Sequence, residues 1–382
     1  MSNIAPPSSA DFVVIGAGFV GAATACHLAR LAAGSRVVLL EREGAAAVHS
    51  SGRNAGMIRQ VTSEEAVSHL ARKGAEAIRL LAEAAPAAAP SERPLFLPTG
   101  SVLVAAGEKA AQLERDIAHA RAAGIPVERL DAAPAKERFP ALRDATFELA
   151  CHAFSDGVVD LPALARRYLE RARSLGVDAI FGAGVEAIRT RGGRVTGVRA
   201  GGSEIETRAV VDAAGAWASE VAELAGAARI PLRPRRRHIF VTEPLPWVPP
   251  DWPFHWDIAT EVYFRPEEGG LLLSPCDEAD PGDKRSDAAD PAACELLRAK
   301  LSRQFPRLAD LPVRRAWSGL RTLSPDGRFV LGPDPEVEGF FWAAGLGGHG
   351  VTASSSAGEI AATLVLDPGR DASNPHSPSR FR

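Results

Sequence analysis

"DFVVIGAGFVGAATACHLARLAAG", residues 11–34, is the stretch that indicates the fold of this chain. It begins with a short apolar, β-branched run that ends in glycine, which is typical of a buried parallel strand. The alanine-rich part that follows predicts a helix, with Gly34 as its stop signal. "SRVVLLERE", residues 35–43, then predicts a second buried strand. The chain therefore opens with a βαβ unit.

The turn between the first strand and the helix carries the spacing Gly16-x-Gly18-x-x-Gly21. The first glycine permits the tight turn, the second lets the backbone approach a pyrophosphate, and the third lets helix and strand pack closely. Glu41 ends the next strand, where its carboxylate can accept hydrogen bonds from both hydroxyls of a ribose. The unit therefore predicts a dinucleotide site, and Glu41 disfavours a 2′-phosphate by charge repulsion.

Composition limits the classes of function. The 382 residues predict two or three domains, at about 100–200 residues each. The net charge of −3 disfavours a nucleic-acid partner, and the four cysteines are too far apart for a zinc site or a disulfide framework, so no metal is expected. Neither a signal peptide nor a transmembrane segment is predicted. We expect a cytoplasmic protein, with peripheral membrane association left open.

The rest of the chain alternates helical and strand patterns. An Ala/Pro stretch at 84–90 indicates a linker, and the Pro/Ser/Arg-rich residues 373–382 indicate a poorly ordered tail. Within "VHSSGRNAGMIRQ", residues 48–60, small residues with hydroxyl and amide groups suit a backbone that wraps a flavin-bearing cofactor, which favours FAD over NAD.

Several motifs together resemble one family. They are "VVIGAGFVGAATACHLA", "VVLLERE", "HSSGRNAG", "VVDAAGAWASEVAELAG", "WSGLRTLSPDGRFVLGP" and "GFFWAAGLGGHGVTASSSAGEIAA". The chain resembles the D-amino-acid oxidase superfamily of FAD-dependent amine oxidoreductases, and within it the bacterial FAD-dependent D-amino acid dehydrogenases of the D-arginine type. The resemblance implies an α/β and α+β fold, with a Rossmann-like FAD-binding domain interleaved with a substrate domain on a mixed or antiparallel sheet. It implies an FAD-binding domain at 1–90, 157–228 and 325–372, and a substrate domain at 91–156 and 229–324.

The same resemblance implies a set of residues around non-covalent FAD. In order along the chain they are Gly16, Gly18, Gly21, Glu41, Arg42, Ser50, Ser51, Asn54, Ala55, Gly56, Val185, Ala214, Gly215, Trp217, Gly347, Gly348, Gly350, Val351 and Thr352. The last five would form a loop and helix start facing the flavin, where free N–H groups stabilise the negative charge of the reduced ring.

The run "PRRRHIF", residues 234–240, has the residue types of a strand, so its arginines alternate between two faces. Arg236 therefore points away from Arg235 and Arg237. By resemblance, Arg237 and Arg321 bind a substrate carboxylate and the hydroxyl of Tyr263 reaches the same group. Arg235 and Arg236 are interpreted as solvated or in structural ion pairs.

Four more residues are placed near the substrate by resemblance. His349 either contacts substrate or caps its loop. Met57 and Arg59 lie in the stretch that would cover the flavin. Ser101 stands where relatives that prefer cationic D-amino acids have an acidic residue, so Ser101 and Arg59 together favour a substrate with a neutral or acidic side chain.

The resemblance implies oxidation of the Cα–N bond of an amino acid, expected to be a D-amino acid, by hydride transfer to flavin N5. The imino acid then hydrolyses to a 2-oxo acid and ammonia. Alternatives are glycine or a sarcosine-type secondary amine, a 2-hydroxy acid, or a flavin-binding sensor without turnover. The expected partner is a small carboxylate-bearing amine. The electron acceptor (oxygen, a quinone or a carrier) and the oligomeric state stay open.

Overall fold

The structure is a computed structural model that describes residues 6–84 and 93–382. The predicted linker beyond Ala84 and the predicted domain boundary at residue 90 lie outside the described residues. Within the described residues the helices are α1 (Phe19–Leu31), α2 (Glu65–Glu83), α3 (Glu108–Ala122), α4 (Ala132–Arg138), α5 (Leu161–Ser174), α6 (Ala218–Ala225), α7 (Pro291–Gln304) and α8 (Ser354–Leu366). The strands are β1 (Phe12–Ile15), β2 (Val37–Leu40), β3 (Met57–Ile58), β4 (Phe96–Leu97), β5 (Ser101–Ala105), β6 (Val127–Asp131), β7 (Leu149–Ala153), β8 (Gly157–Val159), β9 (Asp178–Ile180), β10 (Val185–Arg191), β11 (Arg194–Ala200), β12 (Ser203–Glu206), β13 (Val210–Asp212), β14 (Arg233–Thr242), β15 (Phe254–Asp257), β16 (Val262–Glu267), β17 (Gly270–Ser274), β18 (Val313–Leu323), β19 (Val330–Pro333) and β20 (Phe340–Ala344).

A six-stranded sheet in the order β19-β20-β13-β1-β2-β9 contains the predicted βαβ unit. Its strands run parallel except β19, which pairs antiparallel with β20 at one edge. Both faces are covered, as expected for a parallel sheet. Val14 packs toward α1 and α8, whereas its neighbour Val13 packs toward α6 and the three-stranded sheet β10-β11-β12. This explains why β1 and β2 are continuously apolar.

The second large sheet has eight strands in the order β18-β14-β17-β16-β15-β5-β7-β6. Its pairs are antiparallel except β15 with β5, so the sheet is mixed. The strands come from two separate stretches of the chain, one before β9 and one after β13. The predicted fold class, with a Rossmann-like part interleaved with a mixed-sheet part, is confirmed. The domain boundaries stay a prediction.

Helix α8 lies against α1 because small residues let their backbones approach. A Cβ added to Gly358 would come within 2.8 Å of the amide nitrogen of Thr24 and of the Ala23 side chain. The loop that precedes α8 is thereby held next to the N-terminal end of α1. No helix in the described parts of the chain is long and apolar enough to cross a membrane.

The C-terminal residues differ from the expectation of a poorly ordered tail. They contain 3-10 helices at Pro368–Ser373 and Pro378–Phe381 and cover edge strand β19, where the amide of Leu331 donates to the carbonyl of His376 at 2.9 Å. Arg380 Nε also donates to the Asp326 carboxylate at 2.7 Å. Composition misled the prediction because the tail satisfies its polar groups on a strand that is distant in sequence.

Candidate active site

The turn after β1 has no room for side chains at Gly16 or Gly21. Gly16 has a φ of +103°, and a Cβ there would lie 2.6 Å from the carbonyl oxygen of Ala213. A Cβ on Gly21 would lie 1.9 Å from the carbonyl oxygen of Gly16. Gly18 precedes the first residue of α1, so the free N–H groups of that helix end open beside it. The turn has the geometry for a phosphate at a helix N-terminus.

A cleft of about 1210 Å³, a volume that includes its open solvent-filled mouth, runs from this turn along the carboxyl edge of the parallel sheet. That edge is where open α/β sheets bind ligands. The predicted cofactor residues that line the cleft are Gly16, Gly18, Glu41, Arg42, Ser50, Ser51, Val185, Ala214, Gly215, Trp217, Gly347 and Gly350. The predicted residues outside its lining are Gly21, Asn54, Ala55, Gly56, Gly348, Val351 and Thr352.

The carboxylate of Glu41 closes the edge of the turn. One oxygen accepts from the amide of Ala17 at 2.8 Å and the other from the amide of Glu43 at 2.9 Å. Each oxygen keeps acceptor capacity for a hydroxyl in the cleft, because an ionised carboxylate has about four acceptor sites in all. This arrangement suits the predicted contact with a ribose.

Flat groups line one part of the cleft. The Arg42 guanidinium lies 4.4 Å from the ring centre of Trp217, and the His49 ring lies 4.6 Å from it. Glu43 accepts from His49 at 2.9 Å and from Arg42 at 3.1 Å, and the His49 hydrogen bond lowers the pKa of this carboxyl. The sequence reasoning missed His49, although the quoted motif "HSSGRNAG" begins with it. These planar surfaces suit stacking on a heterocyclic base.

Asn54 shapes the cofactor loop instead of facing the cleft. Its amide donates to the carbonyls of Ser50 at 3.0 Å and Ser51 at 2.7 Å, and its oxygen accepts from the Gly56 amide at 2.7 Å. The hydroxyl of Ser51 in turn accepts from the amide of Phe19 in the first turn of α1. Asn54 therefore positions the serines that do line the cleft.

The glycine-rich loop before α8 approaches the cleft from the opposite side. The amide of Gly347 donates to the carbonyl of Thr322 at 3.0 Å. The Thr352 hydroxyl accepts from the amide of Arg59 at 3.0 Å, so this side chain connects two loops and does not line the cleft. Val351 is buried in the helical core. These two residues support the loop, whereas Gly347 and Gly350 form its cleft surface.

The register of β14 with β18 explains how two distant arginines meet. Arg235 lies opposite Arg321, and Arg237 lies opposite Gly319. Residues directly opposite in an antiparallel pair project to the same face, and so do alternate residues along each strand. Arg237 and Arg321 are therefore diagonal neighbours on one face.

Arg236 projects to the other face, as the alternation predicted. Its guanidinium donates to the carbonyls of Ser286, Pro281 and Asp283 and to the hydroxyl of Ser318. The expectation of a solvated or ion-paired Arg236 was wrong, because the side chain is buried and its acceptors are neutral oxygens. Arg236 fixes the loop after β17.

Arg237 is buried and partly engaged by the protein. Its Nε donates to the carbonyl of Asp277 at 3.0 Å, and its Nη2 lies 3.7 Å from the carboxylate of Glu278, whose side chain is 55% exposed. A guanidinium has five N–H donors. Arg237 therefore keeps donors for a ligand.

Arg321 has no hydrogen-bond or ion-pair partner among the described residues, and its side chain is only partly buried. Burial of the side chain, and after it the charge of Arg237, lowers the pKa of Arg321 to about 10, so it stays cationic at neutral pH. Tyr263 lies near both arginines, and burial raises the pKa of its phenol, so the hydroxyl stays a neutral donor. We call Arg237, Arg321 and Tyr263 the clamp.

Arg59 lies beside the clamp. Its guanidinium lies 4.2 Å from the ring centre of Trp256, and its Nη2 donates to His349 Nε2 at 3.1 Å. Burial, and then the charges of Arg59 and Arg321, holds the pKa of His349 well below its usual value, so the imidazole is neutral. Because Nε2 accepts from arginine, the proton of the neutral ring lies on Nδ1, which is buried and has no partner in the described chain. The sequence reasoning missed Trp256, which the register places opposite Tyr263.

Ser101 is fully buried and its hydroxyl donates to Asp156 Oδ2 at 2.6 Å. Gln60 donates to Asp156 Oδ1 through its side chain at 2.9 Å and its amide at 3.2 Å. Burial raises the pKa of Asp156 to about 6. Ser101, predicted to line the substrate pocket, instead bonds to Asp156. The sequence reasoning missed this buried acid. Met57, by contrast, is half-buried against the core next to Tyr263.

Comparisons with known proteins agree with this architecture. A family model described as DAO, FAD dependent oxidoreductase, matches residues 11–364. FAD-dependent oxidoreductase domain-containing protein 1 of Bos taurus is 27% identical over 406 residues, which cover 95% of this chain and 82% of that protein. The crystal structure of L-proline dehydrogenase from P. horikoshii superposes with a TM-score of 0.85 at 23% identity and covers 98% of each chain. Glycine oxidase from Geobacillus kaustophilus gives 0.77 at 24% identity, over 94% of this chain and 95% of its own.

The cleft fits the cofactor of that family, because glycines clear its pyrophosphate turn, a helix N-terminus opens onto it and planar groups line one part. The chain belongs to the DAO family of FAD-dependent oxidoreductases, and its cofactor is FAD.

Proposed function

We propose that the protein oxidises the Cα–N bond of an amino acid held by its carboxylate, with a D-amino acid as the preferred substrate. The product is an imino acid that water hydrolyses to a 2-oxo acid and ammonia. The observation that carries this proposal is the free guanidinium of Arg321 in the buried clamp. A partly buried cation without a partner is unfavourable, so the site favours an anion there.

A planar carboxylate matches the donors of the clamp. Arg321 can donate two parallel N–H bonds to its two oxygens, and the remaining donors of Arg237 and the Tyr263 hydroxyl can complete its coordination. Such charge-assisted hydrogen bonds fix orientation as well as position. Because the carboxylate is bonded to Cα, holding it also limits where the Cα–H and the amine can lie.

FAD, when bound in the cleft, would supply the two-electron acceptor for the hydride from Cα. A neutral amine loses only this hydride, since its nitrogen lone pair forms the new C=N bond, and the step needs no protein base. His349 suits such a site, because its imidazole is neutral and its unpartnered Nδ1–H is a donor without charge.

The preference for the D configuration rests on the motif resemblance. The clamp recognises the carboxylate and does not by itself distinguish a D-amino acid from glycine, a secondary amine such as sarcosine, or a 2-hydroxy acid. Glycine or a secondary amine is the second candidate, since proteins of the same fold act on glycine and on L-proline.

The test is anaerobic reduction of the purified yellow protein by a panel of D-amino acids, L-amino acids, glycine, sarcosine and 2-hydroxy acids. Loss of flavin absorbance with amino acids supports the proposal, and the enantiomer that reacts identifies the configuration. Absence of reduction by every compound would instead support a sensor without turnover.

Replacing Arg321 with Met should raise KM for the best substrate by about 100-fold, because charge-assisted hydrogen bonds contribute about 1.5–3 kcal/mol each. Arg321→Lys should keep part of the affinity. Arg235→Met is the matched control, since Arg235 lies opposite Arg321 on the same face and should change KM less than about threefold. An unchanged KM for Arg321→Met would refute the clamp.

A further inference from the structure

Arg59 is a second cation with free donors beside the clamp. Only its Nη2 is used, in the hydrogen bond to His349. Its Nε and Nη1 have no partner among the described residues, and the side chain is only partly buried. The face of its guanidinium rests on Trp256, so the side chain is held in place while its donor edge stays available. This geometry is typical of an arginine side chain that is preorganised to bind an anion, and not of a mobile surface arginine.

The carboxylates near Arg59 do not occupy its donors. Among the carboxylates, Asp156 raises the pKa of Arg59 most. Its oxygens nevertheless accept hydrogen bonds from Ser101 and Gln60, and it forms no ion pair with Arg59. Asp116 lies on α3 and accepts from Gln112 at 2.7 Å. No other carboxylate of the described chain pairs with Arg59.

Arg59 and Arg321 flank the same imidazole. His349 accepts from Arg59, and a Cβ on the adjacent Gly348 would lie 3.0 Å from Arg321 Nη1. The site therefore offers two guanidiniums close to one neutral imidazole. If the α-carboxylate of the substrate takes Arg321 and Arg237, the donors of Arg59 remain for a second group on the same molecule.

We propose that Arg59 binds a second carboxylate of the substrate, so that the substrate class is an amino acid with two carboxylates. This inference rests on the proposed function and adds its substrate class. An amide or an alkyl group at the same place would leave the Arg59 donors without a charged partner. A site that hydrogen-bonds a substrate group discriminates strongly against analogues that lack it.

The test compares matched pairs that differ in one carboxylate. The oxidation pairs are aspartate with asparagine and glutamate with glutamine, in both enantiomers, and iminodiacetate with sarcosine. The proposal expects kcat/KM to be at least about tenfold higher for the dicarboxylate in the pair that reacts. Arg59→Gln should remove this preference, with a loss of at least about tenfold for the dicarboxylate and less than about threefold for its partner. Arg59→Lys keeps the charge and should keep part of the preference.

Binding without turnover separates this inference from the proposed function. Succinate and butyrate are compared as ligands by the change they cause in the flavin absorbance spectrum. Succinate should bind at least about tenfold more tightly than butyrate, and Arg59→Gln should make the two affinities similar. This readout holds even if no amino acid reduces the flavin, an outcome that counts against the proposed function alone.

Two results would overturn the inference. One is a wild-type protein that treats the acid and its partner alike in both assays. The other is an Arg59→Gln variant that weakens both members of a pair equally, which would assign Arg59 to the α-carboxylate. A variant that fails to bind FAD is replaced by Arg59→Met, which keeps the alkyl packing on Trp256.

Discussion

The FAD cleft and the arginine cluster lie close together but are specified in different ways. The cleft turn depends on spacing within one short stretch, where a side chain at Gly16 or Gly21 would clash with backbone. The cluster depends on sheet register, which brings Arg237 and Arg321 together, and on the contact of Arg59 with Trp256. The turn therefore cannot accept a larger side chain, whereas the arginine cluster depends on the positive charge of its long side chains.

The largest effect is expected at the cleft turn. Gly21→Ala places a Cβ 1.9 Å from the carbonyl oxygen of Gly16. Alanine would otherwise favour the helix by about 1 kcal/mol, but the backbone clash outweighs this gain. We expect a loss of about 5 kcal/mol or more in the free energy of unfolding and a colourless protein.

The matched control is Gly44→Ala, since no atom lies within 4 Å of a Cβ at that position. This variant should stay yellow and should unfold at the wild-type denaturant concentration. Denaturant titration and the flavin spectrum of both variants are the measurements. A yellow, stable Gly21→Ala protein would contradict the role given to the turn.

The next largest effect is a loss of stability that should differ between two adjacent arginines. Arg236→Met leaves one hydroxyl and three carbonyl acceptors without their charged donor, so we expect a loss of about 4 kcal/mol in the free energy of unfolding. Arg237→Met should affect substrate KM more and stability less, because its donors are only partly used within the protein. Equal losses of stability in the two variants would remove the distinction between the faces of β14.

The smallest expected effect concerns Asp156. Its pKa of about 6 lies above the usual 3.8, so the folded protein retains a proton that the unfolded chain releases. Stability should therefore fall as the pH rises from about 4 to about 6, by up to about 3 kcal/mol, and stay lower above pH 6. Asp156→Asn removes this titration and should be more stable than the wild type at pH 8 but not at pH 4.

Unfolding by denaturant at both pH values measures this difference. Ser101→Ala offers a second variant, since it removes one hydrogen bond to Asp156 and keeps the carboxyl. Its stability should fall more steeply with pH than that of the wild type. A wild-type stability that does not change between pH 4 and pH 8, relative to Asp156→Asn, would contradict the raised pKa.

The sequence predicted the cleft better than the substrate site, for a physical reason. The glycine turn and Glu41 belong to one βαβ unit, whose spacing is a local pattern in the sequence. Trp256 and Asp156 were missed because their roles come from contacts with residues distant in sequence, which no local pattern records. Ser101 and Thr352 were identified as site residues, but their hydroxyls bond to Asp156 and to the Arg59 amide.

Arg236 and Arg237 hold the same loop from opposite faces of β14. One donates to the carbonyls of Pro281, Asp283 and Ser286, and the other to the carbonyl of Asp277. The loop after β17 and strand β14 should therefore be exchanged together in protein engineering. A chimera that imports a relative's loop to change substrate range should import the matching strand with it, because a foreign loop would leave two buried cations without their acceptors.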